Sequence, residues 1–327
     1  MKYLLWTLLP LSFLIACSDA AEQGDKLLTQ PPFQSLTDSI QQFPKNPELY
    51  YRRGVLLYQN SQVRYAEKDL RTAWNLQPKE EYALSMTTLL RQKSPDSAIV
   101  FLDKALQKLP NSISLQIGLA RGYQNKNQLD PALAICNKII SQYPNQLDAL
   151  ILKSELLQAK GHSKEALSSL ETAFAYAPND LPLGYELAYQ YAEARNPKAL
   201  ALTNVLIKAD QTESVAQAYY IQGVYNDKTG AKAEAIKSYD KAIRANYNFM
   251  DAYRDKGIVY YDQKKYTDAL KTFQLALTIS PATAEFHYWV GKTEQAMGNK
   301  DEAKLAYQRA YGLDKSLTEA KEAADKL

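Results

Sequence analysis

Residues that carry chemistry are scarce in this chain of 327 residues: it has two cysteines and two histidines. Neither His162 nor His287 sits in a Cys/His/Asp/Glu cluster with metal-ligand spacing. No P-loop, GxSxG or HExxH pattern occurs, so the chain reads as no enzyme, with no cofactor and no metal. A charge excess is lacking too. Basic residues number 39 against 36 acidic ones and form no polybasic run, which argues against nucleic acid as a partner. The 12 glycines stand singly. One longer apolar run, Tyr3 to Ala16, is shorter than the roughly 20 residues a membrane-spanning helix needs, and Pro10 interrupts it.

That run follows Met1-Lys2 and ends in Leu14-Ile15-Ala16-Cys17. A charged start and a short apolar stretch read as a secretory signal over residues 1–16. The four residues up to Cys17 resemble the bacterial lipobox. The resemblance implies that Cys17 is diacylated on sulfur, becomes the new N-terminus and is usually acylated on nitrogen as well. Several acyl chains at about 0.8 kcal/mol per buried CH₂ exceed what stable anchoring requires. Ser18 follows, where an aspartate would favour the inner membrane, so the resemblance implies outer-membrane sorting, read here as its periplasmic face. With Cys17 acylated, Cys136 is left without an intramolecular disulfide partner. Stability must come from packing.

A fixed period governs the rest. Ala66, Ala98, Ala132, Ala166, Ala199, Ala235, Ala269 and Ala303 are separated by steps of 32, 34, 34, 33, 36, 34 and 34. Seven residues downstream a second series of small or apolar residues keeps the same steps, and five further on prolines recur at Pro78, Pro110, Pro144, Pro178 and Pro281. A larger residue stands between each pair of alanines, as at Leu70, Leu102, Tyr239, Phe273 and Tyr307. A mostly small one precedes by about twelve, as at Gly54, Ala120, Gly223, Gly257 and Gly291.

These registers resemble the tetratricopeptide repeat, a 34-residue helix-turn-helix. The resemblance implies an all-α fold: a right-handed α-solenoid of about eight units with a C-terminal capping helix. Units one to five span 47–211 and units six to eight span 212–317. Residues 17–32 read as a lipidated N-terminus and flexible spacer, 33–46 as an N-terminal capping helix and 318–327 as the closing helix. Small residues are expected to let the paired helices approach, with Gly or Ala facing Ala across the seam. A spacing irregularity at Ala209–Val215 reads either as a joint between two blocks or as a tolerated loop variation.

By the same resemblance the first helix of each unit lines a concave face with its second, fifth, ninth and twelfth residues. Carried over, this gives Tyr51, Tyr58, Tyr185, Tyr189, Tyr220, Tyr261 and Tyr288, with Arg121, Arg254 and Lys292 at other lining positions. Tyrosine offers a broad apolar face and a hydroxyl at small entropic cost, which suits an extended peptide or partner helix. In a chain with 24 tyrosines, composition alone also puts some there. The functional expectation is a lipid-anchored envelope scaffold. It would bind other envelope proteins or peptides, as in assembly of an outer-membrane, secretion or pilus complex. The alternative is a glycan-binding outer-membrane lipoprotein.

Overall fold

The computed structural model describes residues 26–209 and 215–327. The signal run, Cys17 and the first part of the spacer lie outside the described residues, as do residues 210–214 of the expected joint. Every regular element described is an α-helix. A short helix, α1 (Gln34–Gln42), precedes eight pairs. These are α2/α3 (Pro47–Gln59, Val63–Leu76), α4/α5 (Glu80–Lys93, Pro95–Lys108), α6/α7 (Ile113–Asn125, Leu129–Gln142) and α8/α9 (Leu147–Ala159, Ser163–Tyr176). There follow α10/α11 (Leu181–Glu193, Lys198–Ala209), α12/α13 (Val215–Lys228, Lys232–Ala245), α14/α15 (Met250–Asp262, Tyr266–Ile279) and α16/α17 (Ala284–Met297, Lys300–Leu313). The last helix, α18 (Thr318–Asp325), closes the series. The fold is an all-α solenoid of helix pairs. Among the described residues no helix is long and apolar enough to cross a membrane.

Local sequence sets the boundaries. Asn46 caps α2 by accepting from the Glu48 N–H at 3.1 Å, with Pro47 opening the helix. Ser112 and Asp180 cap α6 and α10 in the same way. A side-chain oxygen satisfies an N–H that the first helical turn leaves without a backbone partner. Between the two helices of every pair except the second, one residue takes positive φ, always at the same register: Ser61, Asn127, Gly161, Arg195, Gly230, Lys264 and Gly298. The chain reverses there through the left-handed region. In the second pair Ser94 alone separates the helices, and its hydroxyl caps α5.

Contacts divide the chain after Ala166 into two compact bodies, so the expected joint near 211 falls inside the second. In the first body Phe33 and helices α2 to α6 pack around Leu57, Leu70, Tyr82, Met86, Leu102 and Leu115, and a second cluster of Ala120, Ala132, Cys136, Leu152 and Leu156 joins α6, α7 and α8. Leu27 and Leu28, expected in a flexible spacer, instead pack against this core. Thr37 Oγ1 donates to the Leu28 carbonyl at 2.7 Å. Arg53 donates to Thr37 at 3.0 Å and to both carboxylate oxygens of Asp69 at 2.6 and 2.9 Å, with the pair almost fully buried.

The last three seams of the second body close on rings. A Cβ built on Gly257 would lie 2.3 Å from Phe273, one on Gly223 2.4 Å from Tyr239, and one on Gly291 2.7 Å from Tyr307. This corrects the expectation that the small residue faces an alanine. Its near neighbour is the large residue of the second helix, and the missing side chain is the space into which that ring fits. At the C-terminal end Ala320 and Ala324 of α18 pack with Tyr307 and Ala310, so the closing helix buries one small-residue face.

Candidate functional site

The first helices carry the candidate residues, and the two bodies use them differently. In the first body the Tyr51 ring lies tilted against that of Tyr82 at 4.7 Å, roughly one repeat downstream, and its hydroxyl accepts from Ser85 Oγ at 3.4 Å. Tyr82 is fully buried and donates to Glu48 Oε2 at 3.1 Å. Burial, reinforced by Glu48, pushes its phenol up to about 12. Tyr58 is half-buried against the core. Arg121 donates to Glu155 at 3.3 Å, one repeat away, in a pair exposed enough to contribute little to stability. These groups fasten neighbouring units together.

In the second body Tyr189, Tyr220 and Arg254 converge on a cavity of about 220 Å³, whose wall also carries Glu193, Lys228 and Asp255. The Tyr220 hydroxyl donates to Asp255 Oδ2 at 2.8 Å. Arg254 donates to Asp255 at 2.8 Å, to Asp251 at 2.6 Å and to the Tyr220 hydroxyl at 3.5 Å. Lys228 reaches Glu193 at 2.9 Å. Burial raises the phenols of Tyr189 and Tyr220 above the ordinary range, and the facing carboxylates, Glu193 and Asp255 for Tyr189 and Asp255 for Tyr220, add to the shift. Both therefore stay neutral at any physiological pH. The cavity offers aromatic walls with charges already paired at its rim, a surface for adsorbing a side chain rather than for moving protons.

The final pairs build a second cluster. Tyr261, Tyr288 and Lys292 meet around Trp289: the lysine ammonium lies 4.5 Å from the Trp289 ring centroid and 5.6 Å from those of Tyr261 and Tyr288. Trp289 stacks on Phe273 at 5.7 Å and is crossed edge-on by Tyr261 at the same distance. Tyr288 donates to Glu319 of the closing helix at 3.3 Å.

Tyr185 does not join either group. It shares the register of Tyr51 and Tyr220 but is only 3% exposed, a core residue and not a ligand contact. Register fixes where a side chain leaves the helix, and the neighbouring elements decide whether it ends in solvent. Sequence reasoning missed Trp289, Asp255, Glu193 and Lys228, which lie beside the lining positions. Opposite charges or polar partners about one repeat apart, such as Glu193 with Lys228 and Tyr220 with Asp255, are the signal that finds three of them. Elsewhere, Cys136 is fully buried and desolvation pushes its thiol up to about 11, so it packs as a small apolar residue. Among the described residues no group of three or more His, Cys, Asp or Glu is placed to hold a metal ion.

Comparison with known proteins agrees with this geometry. Tetratricopeptide repeat models match residues 89–156, 232–284 and 284–317. The chain is 37% identical to a TPR repeat-containing protein of Methanocaldococcus jannaschii over 26% of each sequence. It is 24% identical to the Hsp70-Hsp90 organizing protein of Triticum aestivum over 51% of this chain and 27% of that one. The chain thus spans about a quarter of the length of these relatives. Among solved structures, a tetratricopeptide repeat protein from Parabacteroides merdae superposes with a TM-score of 0.59 at 18% identity, covering 75% of this chain and 97% of that one. The type IV pilus biogenesis factor PilW gives 0.52 at 16% identity, covering 64% and 97%. At such identities the likeness is one of fold. Residues 89–156 and 232–317 of this α-solenoid thus match tetratricopeptide repeats, which generally mediate protein-protein interaction.

Proposed function

We propose that this chain is a lipid-anchored scaffold of the bacterial envelope. It would bind an extended protein segment along the first-helix face of its second body, with no chemistry of its own. The observation that carries the binding half is the convergence of Tyr189, Tyr220 and Arg254 on one open cavity. Large, rigid amphipathic rings beside an immobilised guanidinium supply contact area and orientation at little entropic cost. The anchoring half rests on the residues Leu14-Ile15-Ala16-Cys17. Holding the array at a membrane raises the effective concentration of partners that share that membrane. An outer-membrane location, and a role in assembling an outer-membrane, secretion or pilus complex, follow from the same reading. The glycan alternative draws no support from the helix pairs, which follow one another from α2 to α17 with no inserted segment among the described residues.

In-cell crosslinking from a photoreactive residue at position 189 or 288 tests the binding half, with position 237 on the exposed face of α13 as control. A discrete protein captured from 189 and 288 but not from 237 is the expected result. The same capture from all three, or none from any, sinks the scaffold. Cys17→Ala tests the anchor separately: the variant should leave the membrane fraction, and one that stays there removes the lipid from the account.

A further inference from the structure

We propose that Lys292, together with the Tyr261 hydroxyl, forms an anion subsite that receives the side-chain carboxylate of an Asp or Glu in the bound segment; the inference rests on the peptide-binding reading above. Three other cations of the first helices have carboxylate partners: Arg121 with Glu155, Lys228 with Glu193, and Arg254 with Asp251 and Asp255. Lys292 is half-buried, with its ammonium over the rings of Tyr261, Tyr288 and Trp289. Among the described residues it has no carboxylate within ion-pair distance.

Ring faces stabilise an ammonium but accept its three N–H donors only weakly. Three of the carboxylates at this end of the body have other partners. Glu319 accepts from Tyr288, Glu294 accepts from Asn299 at 2.7 Å, and Glu285 lies 4.0 Å from Arg254. The Tyr261 hydroxyl likewise has no hydrogen-bond partner among the described residues, while its ring borders both Lys292 and Trp289. Two unmatched donors thus flank one indole. A carboxylate has two acceptor oxygens to offer them, and the short alkyl arm of Glu or Asp can lie on the indole face. A phosphate dianion suits the place poorly, since a single cation with no backbone N–H nest leaves most of its charge unmatched.

The test is binding of the full chain to short random peptides with both ends blocked, compared between wild type and Lys292→Met. Wild type should select sequences enriched in Asp and Glu. Lys292→Met should lose that preference and bind the selected acidic peptides about tenfold more weakly. Lys292→Arg should keep the preference, and Tyr261→Phe should reduce it. An acidic preference unchanged in Lys292→Met overturns the inference while leaving the scaffold intact. A preference seen only with free C-termini overturns the side-chain assignment in favour of a terminal carboxylate, and one seen only with phosphopeptides overturns it in favour of phosphate. Failure of wild type to bind any peptide overturns the scaffold reading itself. Because Lys292 makes no ion pair, its thermal midpoint should move little, which separates lost recognition from lost folding.

Discussion

The first and second bodies share one repeat frame but close it with different chemistry. In the first, Gly54 meets Leu70, with a built Cβ 3.0 Å from the leucine side chain, and a buried Arg53–Asp69 pair ties the first unit to the capping segment. In the second, glycines receive the rings of Tyr239, Phe273 and Tyr307. An aliphatic seam ends at the seam. An aromatic one reaches through it, so that Tyr239 also lines the cavity of Tyr189 and Tyr220, and Phe273 carries Trp289 and with it the setting of Lys292. Packing and recognition are continuous in the second body, and the candidate ligand contacts concentrate there.

The largest effect should come from breaking what is particular to the first body. Arg53→Met leaves the Asp69 carboxylate buried without its partner and strands Thr37, whose hydroxyl holds the Leu28 carbonyl. Removing one member of a buried pair costs about 3 to 5 kcal/mol, whereas replacing both by apolar residues is often close to neutral. Hydrogen exchange should therefore show lost protection across α1 to α3 in Arg53→Met, with α12 to α17 unchanged and most protection restored in Arg53→Met/Asp69→Leu. A cost of at most about 1 kcal/mol, typical of an exposed pair, would remove the distinction drawn for this body.

Glycine-to-alanine changes sharpen the comparison next. Gly257→Ala places a methyl against the Phe273 ring, which other rings hem in, and should destabilise by roughly 1 to 3 kcal/mol. Phe273→Leu in the same chain should recover part of that loss. In the first body Gly118 stands inside α6 with nothing nearer to a built Cβ than Leu102 at 3.7 Å. Gly118→Ala should stabilise by about 0.5 to 1 kcal/mol through helix propensity. Denaturant titration followed by exchange of α6 and α14 distinguishes the two. Equal signs would mean that the seam contacts do not govern local stability.

The pairing of helices was legible because alanines recur wherever two backbones come close, and closeness tolerates few residue types. Direction and depth were less so. The turn register was hidden because four of its seven residues, Ser61, Asn127, Arg195 and Lys264, are not glycine although their φ is positive. The lining register found Tyr220, Arg254 and Lys292 but also returned Tyr185, because neighbouring elements decide exposure and sequence spacing does not record them. Trp289 escaped because its side chain serves the seam first, by stacking on Phe273, and the recognition face second. Partition into bodies was not legible at all: the sequence irregularity near 211 and the division after Ala166 are separate features.

The smallest effect separates the bodies by acid. Burial by itself would raise the Glu67 carboxyl in the first body, but hydrogen bonds from Arg71 and Lys93, both at 3.0 Å, outweigh it and hold the group below its ordinary value. In the second body Lys198 at 2.8 Å and the Tyr191 hydroxyl at 2.6 Å do the same to Glu171. The unfolded chain takes up these protons near pH 4.5, before the folded chain does. Each carboxylate therefore stabilises its body above that pH and loses the contribution as pH falls through the lower folded value. Both sites face solvent in part, so high salt should weaken the effect. Glu67→Gln should flatten the acid limb of exchange protection in α3 and α4 alone, and Glu171→Gln that of α9 to α11 alone. If either variant flattened both limbs, the two bodies would be titrating as one cooperative unit, and the difference between their seams would no longer mark a boundary in stability.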